Sequence, residues 1–247
     1  MENLLISLEK NQKTIWNKFF KQISEFNCVQ KRGIIFGIIV GVTVLGVSLG
    51  ILLGSSTNED SGRTHGTVST SMGSPIQGDP SAPITIIEFG DYQCHACYNW
   101  FHTYKPAIYE NYIATGKANL VFVDLAFLGR DSPTASQASY CAEDQGMYWE
   151  YHNLLYNSQE SEIDNGWANS ERLKAFAFSL GLDTESFDKC LDSGKYSKRV
   201  QYNISEAKKH GAKATPTFII VGPNNQQQQF QGGQPYSTFK QIMDSMV

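Results

Sequence analysis

The sequence predicts an α/β domain carried behind one membrane-crossing helix, and three observations predict it. An apolar strand, Ile84–Gly90, runs directly into two cysteines at the start of a helical pattern. Apolar, β-branched runs at Leu120–Asp124 and Pro216–Val221 are separated by long stretches of helical periodicity. Gly33–Leu53 is an uncharged run of 21 residues.

With 247 residues, 41% of them hydrophobic, the chain suffices for one or two packed domains. A formal net charge of -4 argues against nucleic acid as the partner. Residues 1–32 hold six Lys and Arg against three acids, leaving 14 basic and 21 acidic residues beyond. A basic tail thus precedes an acidic body. At 1.5 Å per residue the run 33–53 covers roughly 30 Å, the thickness of a bilayer's hydrocarbon core. No Ala-x-Ala-like cleavage site and no lipid-accepting cysteine follows it, so it reads as an uncleaved anchor. Lys31 and Arg32 abut it, which places 1–32 in the cytoplasm and the body outside the cell membrane. Gly33, Gly37 and Gly41 have the spacing that packs a second span, but glycine is frequent in such helices and a monomer is expected. Residues 54–83, rich in Ser, Thr, Gly and Pro, read as a flexible linker in which His65 is assigned no role.

Residues 84–247 form the expected domain. After the strand 84–90 a helix begins near Cys94, kinks or ends at Pro106 and resumes to about Ala114. Leu120–Asp124 then suits a central strand, and strand, helix, strand implies a parallel pair with a helical crossover. About 132–210 reads as almost wholly helical: Leu173, Phe176, Ala177 and Leu180 recur at i, i+3, i+4 and i+7, and Phe187, Cys190 and Leu191 start the pattern again. Gly181, Gly194 and Gly211 are expected helix ends. Strand 216–221, a turn at Gly222–Asn225, an antiparallel partner at 226–230 and a helix from about Tyr236 complete the chain. The glutamine run is expected on a solvated edge.

The chemistry centres on Cys94-His95-Ala96-Cys97. A free thiol has a pKa near ~8.5, but a helix N-terminus offers unpaired N–H groups and partial positive charge that favour the thiolate. Cys94 occupies that N-terminus, Cys97 lies one turn on as its disulfide partner, and His95 is placed to stabilise the thiolate further. Zinc and haem sites share the spacing. Neither a second Cys-x-x-Cys nor a His after Cys97 is present, and His102 as a fourth ligand fits no spacing rule. Redox chemistry is therefore expected, with no metal and no cofactor.

The segment Ile84–Trp100, an apolar strand with an acid, an aromatic turn and Cys-x-x-Cys, resembles the active-site segment of DsbA-like thiol-disulfide oxidoreductases of the thioredoxin superfamily. A second motif, Ala214-Thr215-Pro216-Thr217-Phe218-Ile219-Ile220, extends the resemblance from about Pro80 to the C-terminus. It implies a thioredoxin fold, a central mixed sheet flanked by helices, with a helical subdomain inserted at about 132–210. It also implies a cis Pro216 against the redox pair, with Pro216 and Thr215 presenting backbone to an extended substrate. Glu88, six residues before Cys94, matches the family's buried acid beneath the disulfide, where it would exchange protons with Cys97; the residues alone also allow a solvent-facing edge position.

Cys28 falls in the cytoplasmic tail and is expected to be reduced and inert. Cys141 and Cys190 sit on apolar helix faces, either as buried free thiols or as a structural disulfide, which the resemblance favours. The function implied is an oxidase donating the Cys94–Cys97 disulfide to exported proteins with free thiols, reoxidised by a quinone-linked membrane oxidase. Strong oxidants of the family carry His at the second intervening position, whereas His95 is at the first. A reductase or isomerase using the same site therefore stays open, as does a thioredoxin-fold metal chaperone.

Overall fold

The computed structural model describes residues 63–247. The expected anchor 33–53, the basic tail and Cys28 lie outside them, and among the described residues no helix is long and apolar enough to cross a membrane.

The central sheet has the order β4-β3-β5-β6, where β3 is Ile84–Gly90, β4 Ala118–Asp124, β5 Thr217–Val221 and β6 Gln227–Gln231. β3 runs parallel to β4 and antiparallel to β5, and β5 pairs antiparallel with β6, so the sheet is mixed. Every residue of β3 is buried, which explains its near-continuous apolar run. Side chains alternate across the sheet. Ile84 and Ile86 pack with Trp100, Phe218, Phe239 and Met243 on one face, and Ile87 and Phe89 with Val121, Val123 and Ala207 on the other. By the same alternation Glu88 falls on the face of Ile84 and Ile86. β6 is the edge, and its glutamines are mostly exposed.

Helix α1, His95–Thr103, ends two residues before Lys105, and α2, Lys105–Ile108, restarts with Pro106 in its first turn, where the missing N–H is no loss. A wide π-type turn, Tyr109–Ile113, completes the crossover to β4. Five helices follow: α3 Ser132–Glu143, α4 Tyr148–Asn157, α5 Ser170–Ser179, α6 Thr184–Asp192 and α7 Ser197–Lys209. Gly181, Gly194 and Gly211 follow α5, α6 and α7 with φ of 74°, 64° and 73°, the left-handed stop that glycine adopts without strain. The final helix α8, Tyr236–Asp244, returns to cover the sheet. The block between Ser132 and Lys209 also holds a long loop, 158–169, which the almost wholly helical reading of the segment does not include.

The linker reading needs correction for residues 63–83. Thr64–His65 (β1) and Val68–Ser69 (β2) form a small antiparallel hairpin, and Gln77 bridges Leu120 along the outer edge of β4. Arg199 donates to the carbonyls of Met72 and Gly73, Asn203 to that of Met72 at 2.7 Å, and Glu206 accepts the Ser69 N–H at 2.8 Å. The polar backbone thus finds partners on α7, more than a hundred residues away, which composition does not reveal. Asn203, the acceptor of an Asn-Ile-Ser glycosylation motif, is fully buried in this junction.

Candidate active site

β3 ends at Gly90, and the turn Asp91–Cys94 hands the chain to α1. Asp91 accepts the Gln93 N–H with one carboxylate oxygen and the Phe127 and Leu128 N–H groups with the other, all at 2.9 Å. Gln93 is locked in turn: its amide donates to Ser132 Oγ at 3.1 Å and Asp164 at 2.9 Å, and its oxygen accepts the Asp164 N–H at 2.8 Å. Gln159 donates to the carbonyls of Tyr92 and Cys94. The 158–169 loop therefore grips the turn from the helical block. Asp91 followed by an N–H two residues on is an Asx turn, the one part of this clamp that the sequence signals.

Cys94 is the N-cap of α1, and its Sγ accepts the Cys97 N–H at 3.3 Å. The thiol donates to the Thr215 carbonyl at 3.2 Å, and the Thr215–Pro216 bond is cis. Both cysteines are free and buried, Cys97 entirely and Cys94 to 5% exposure. Their proton affinities diverge. Hydrogen bonding from Cys97, with smaller contributions from Thr215 and the N–H groups of Cys97 and Ala96, pulls Cys94 down to about 7 against the opposing effect of burial. Burial pushes the Cys97 thiol well above its ordinary value.

Glu88 is 1% exposed, between Phe122 of β4 and Phe218 of β5 in the sheet. The solvent-facing edge position is thereby excluded. Neither carboxyl oxygen has a hydrogen-bond partner, and burial raises its pKa to about 8 even with the Lys105 charge nearby pulling it down. A Cβ on Gly90 would meet the Phe122 ring at 2.3 Å and Glu88 Oε1 at 3.4 Å, so only glycine leaves room for this arrangement. Lys105 is the electrostatic partner that the sequence did not single out. It is 6% exposed, burial lowers its pKa to about 8, and its ammonium lies 4.8 Å from the Phe101 ring centroid and 5.2 Å from that of Trp149.

His95 does not join this group. It is exposed, and its ring stacks on Tyr98 at 5.7 Å. His102 approaches the Tyr156 carbonyl at 3.4 Å. Among the described residues no group of three or more His, Cys, Asp or Glu side chains could hold a metal ion. Cys141 of α3 and Cys190 of α6 form a disulfide with Cα atoms 5.8 Å apart.

A dithiol this asymmetric exchanges electrons by breaking and re-forming one S–S bond, so the fold and site define a protein thiol-disulfide oxidoreductase. The thioredoxin family model matches residues 70–245, and the chain belongs to that family. It is 31% identical over 150 residues to a probable disulfide bond formation protein D of Bacillus anthracis, covering 59% of this chain and 68% of the relative. The crystal structure of oxidised BdbD from Bacillus subtilis is similar with a TM-score of 0.65 at 26% identity, covering 75% of this chain and 98% of that one. That of alpha-DsbA1 from Wolbachia pipientis is similar with a TM-score of 0.62 at 26% identity, covering 69% and 89%. The chain is a DsbA-like member of the family.

Proposed function

We propose that the protein is a disulfide donor: an oxidase that passes the Cys94–Cys97 bond to exported proteins from a membrane-tethered position. The observation that carries the exchange is the opposed shift of the two thiols, Cys94 down to about 7 and Cys97 well up, which makes Cys94 the sulfur attacked and Cys97 the one released. A substrate thiolate attacks Cys94 Sγ; the Cys94–Cys97 bond breaks and Cys97 leaves as thiolate. Glu88, protonated at neutral pH, gives it a proton. Cys97 is then a poor nucleophile, so the mixed disulfide waits for the second substrate thiolate. That thiolate attacks the substrate sulfur and expels Cys94, the better leaving group. Two electrons move from substrate to protein. The name of the Bacillus anthracis relative, disulfide bond formation protein, supports this direction. Thr215 and Pro216 present backbone beside Cys94 against which an extended substrate segment can lie. The reduced protein is reoxidised by a quinone-linked membrane oxidase, and the apolar run 33–53 with Lys31 and Arg32 before it supports a single-pass anchor with the domain outside.

A reductase reading has one observation behind it: about 7 for Cys94 matches thioredoxin, whereas strong oxidants reach ~3.5. Equilibrating the full chain with defined glutathione mixtures decides between them. A potential well above about −200 mV is expected for the donor, and a value near −270 mV would reject it in favour of a reductase.

A further inference from the structure

His152 lies in the middle of α4, fully buried, with its ring packed on those of Tyr92, Phe122 and Tyr156. Its Nε2 is 3.4 Å from Lys105 Nζ, and its Nδ1 is 2.9 Å from the Tyr92 hydroxyl. Lys105 finds no other hydrogen-bond acceptor among the described residues. An ammonium can only donate, so Nε2 must accept and the ring is neutral with its proton on Nδ1, pointing at Tyr92. Burial and the Lys105 charge both hold His152 well below its ordinary pKa, in keeping with a neutral acceptor. The titratable groups facing this assembly are Glu88 from β3, Tyr92 and Cys94 from the turn, Cys97 from α1, Lys105 from α2, and Tyr148 and Tyr156 from α4 itself; Asp124 of β4 lies beyond Tyr92, and His102 and Glu110 line the surface cavity beside Lys105. Lys105 is the one cation in the set.

We propose that His152 is a positioning residue: its ring fixes where the Lys105 ammonium sits, and the field of that charge at Glu88 sets how tightly Glu88 keeps the proton it exchanges with Cys97. This rests on the reading of Glu88 as the proton partner of Cys97. Without the ring nitrogen the ammonium has only aromatic faces for company. It then either loses its proton or turns out through the 410 Å³ surface cavity that Lys105 lines with Phe101, His102, Pro106, Tyr109 and Asn153. In both cases Glu88 loses its counter-charge and holds its proton more tightly.

The test uses the full chain with glutathione on Cys94 and follows, against pH, the rate at which Cys97 displaces it. His152→Phe is expected to move the profile about one pH unit upward and to slow release about tenfold at pH 7. His152→Gln, whose amide oxygen restores an acceptor for Lys105, is expected to bring the profile back towards wild type. In a Glu88→Gln background His152→Phe is expected to change nothing further. An unmoved profile in His152→Phe, or an equal shift in the Glu88→Gln background, overturns the proposal while leaving the role of Glu88 intact. If Glu88→Gln alone leaves the wild-type profile unchanged, the role of Glu88 falls and the proposal with it. Should His152→Phe fail to fold, Tyr92→Phe removes the hydroxyl that fixes the ring tautomer; a smaller shift in the same direction supports the proposal and no shift overturns it.

Discussion

Cys94 and Cys97 share one helical turn, whereas Cys141 and Cys190 join two helices 49 residues apart in the chain. The first pair is reduced and sits over an orphaned carboxyl, a buried lysine and a turn held by polar side chains. The second is bridged, and although one apolar cluster with Ala138, Ala142, Phe187 and Leu191 takes in both pairs, among the described residues no unpartnered acid lies beside the bridge in that cluster. Both are buried, so burial alone does not make a cysteine reactive. What differs is whether the surroundings can move a proton and stabilise a thiolate.

The largest expected effect separates the pairs outright. Cys94→Ser should abolish exchange while leaving unfolding almost unchanged. Replacing Cys141 and Cys190 together by Ala should leave exchange nearly intact but cost roughly 4 kcal/mol, the loop-closure entropy of a bridge across about fifty residues. Denaturant unfolding and insulin reduction on the same samples check both halves. A double Ala variant that loses exchange as completely as Cys94→Ser would break the comparison.

Next comes the cost of the acid beneath the reactive pair. The folded chain keeps the Glu88 proton between its ordinary value of 4.5 and about 8, a range in which the unfolded chain has released it. The folded state therefore binds more protons there, and stability falls as pH rises through that window. Glu88→Gln removes this loss. Its advantage over wild type should grow from pH 5 to pH 8 and reach on the order of 2 kcal/mol. Urea unfolding at both pH values tests the sign; an advantage that shrinks towards pH 8 would show that Glu88 is ionised and stabilising.

The reactive pair was largely legible in the sequence because its signals are local: a strand ending at Gly90, a cysteine at a helix start, an acid in an apolar run. Its support was not. Lys105 reads as an ordinary helix-surface lysine until the break at Tyr104 and the burial of α2 turn it inward. His152 sits among Tyr148, Trp149, Tyr151 and Tyr156, a stretch that reads only as an aromatic core helix. Gln93, Gln159 and Asp164 meet across 71 residues or fewer through contacts with no fixed spacing. The composition of the folded segment 63–77 suits a tether for the same reason: its partners, Arg199, Asn203 and Glu206, are remote in sequence. Periodicity reports which side of an element is buried; it carries nothing about which polar groups meet there.

The smallest effect is expected at His95, the neighbour that the sequence placed as a stabiliser of the thiolate. The hydrogen bonds on Cys94 Sγ involve Cys97 and Thr215, while the exposed His95 ring lies flat on Tyr98, with only 7° between the planes. A charge facing water interacts across a few ångströms with at most about 1 kcal/mol, and salt screens it. For a two-electron couple that is about 20 mV. His95→Ala should therefore shift the Cys94–Cys97 potential by less than about 20 mV at low salt and by less still in 0.5 M salt. A shift above about 60 mV, unaffected by salt, would mean that the imidazole leaves Tyr98 and bonds the sulfur directly. The contrast between the two cysteine pairs would then rest on an exposed side chain as much as on the buried acid and lysine.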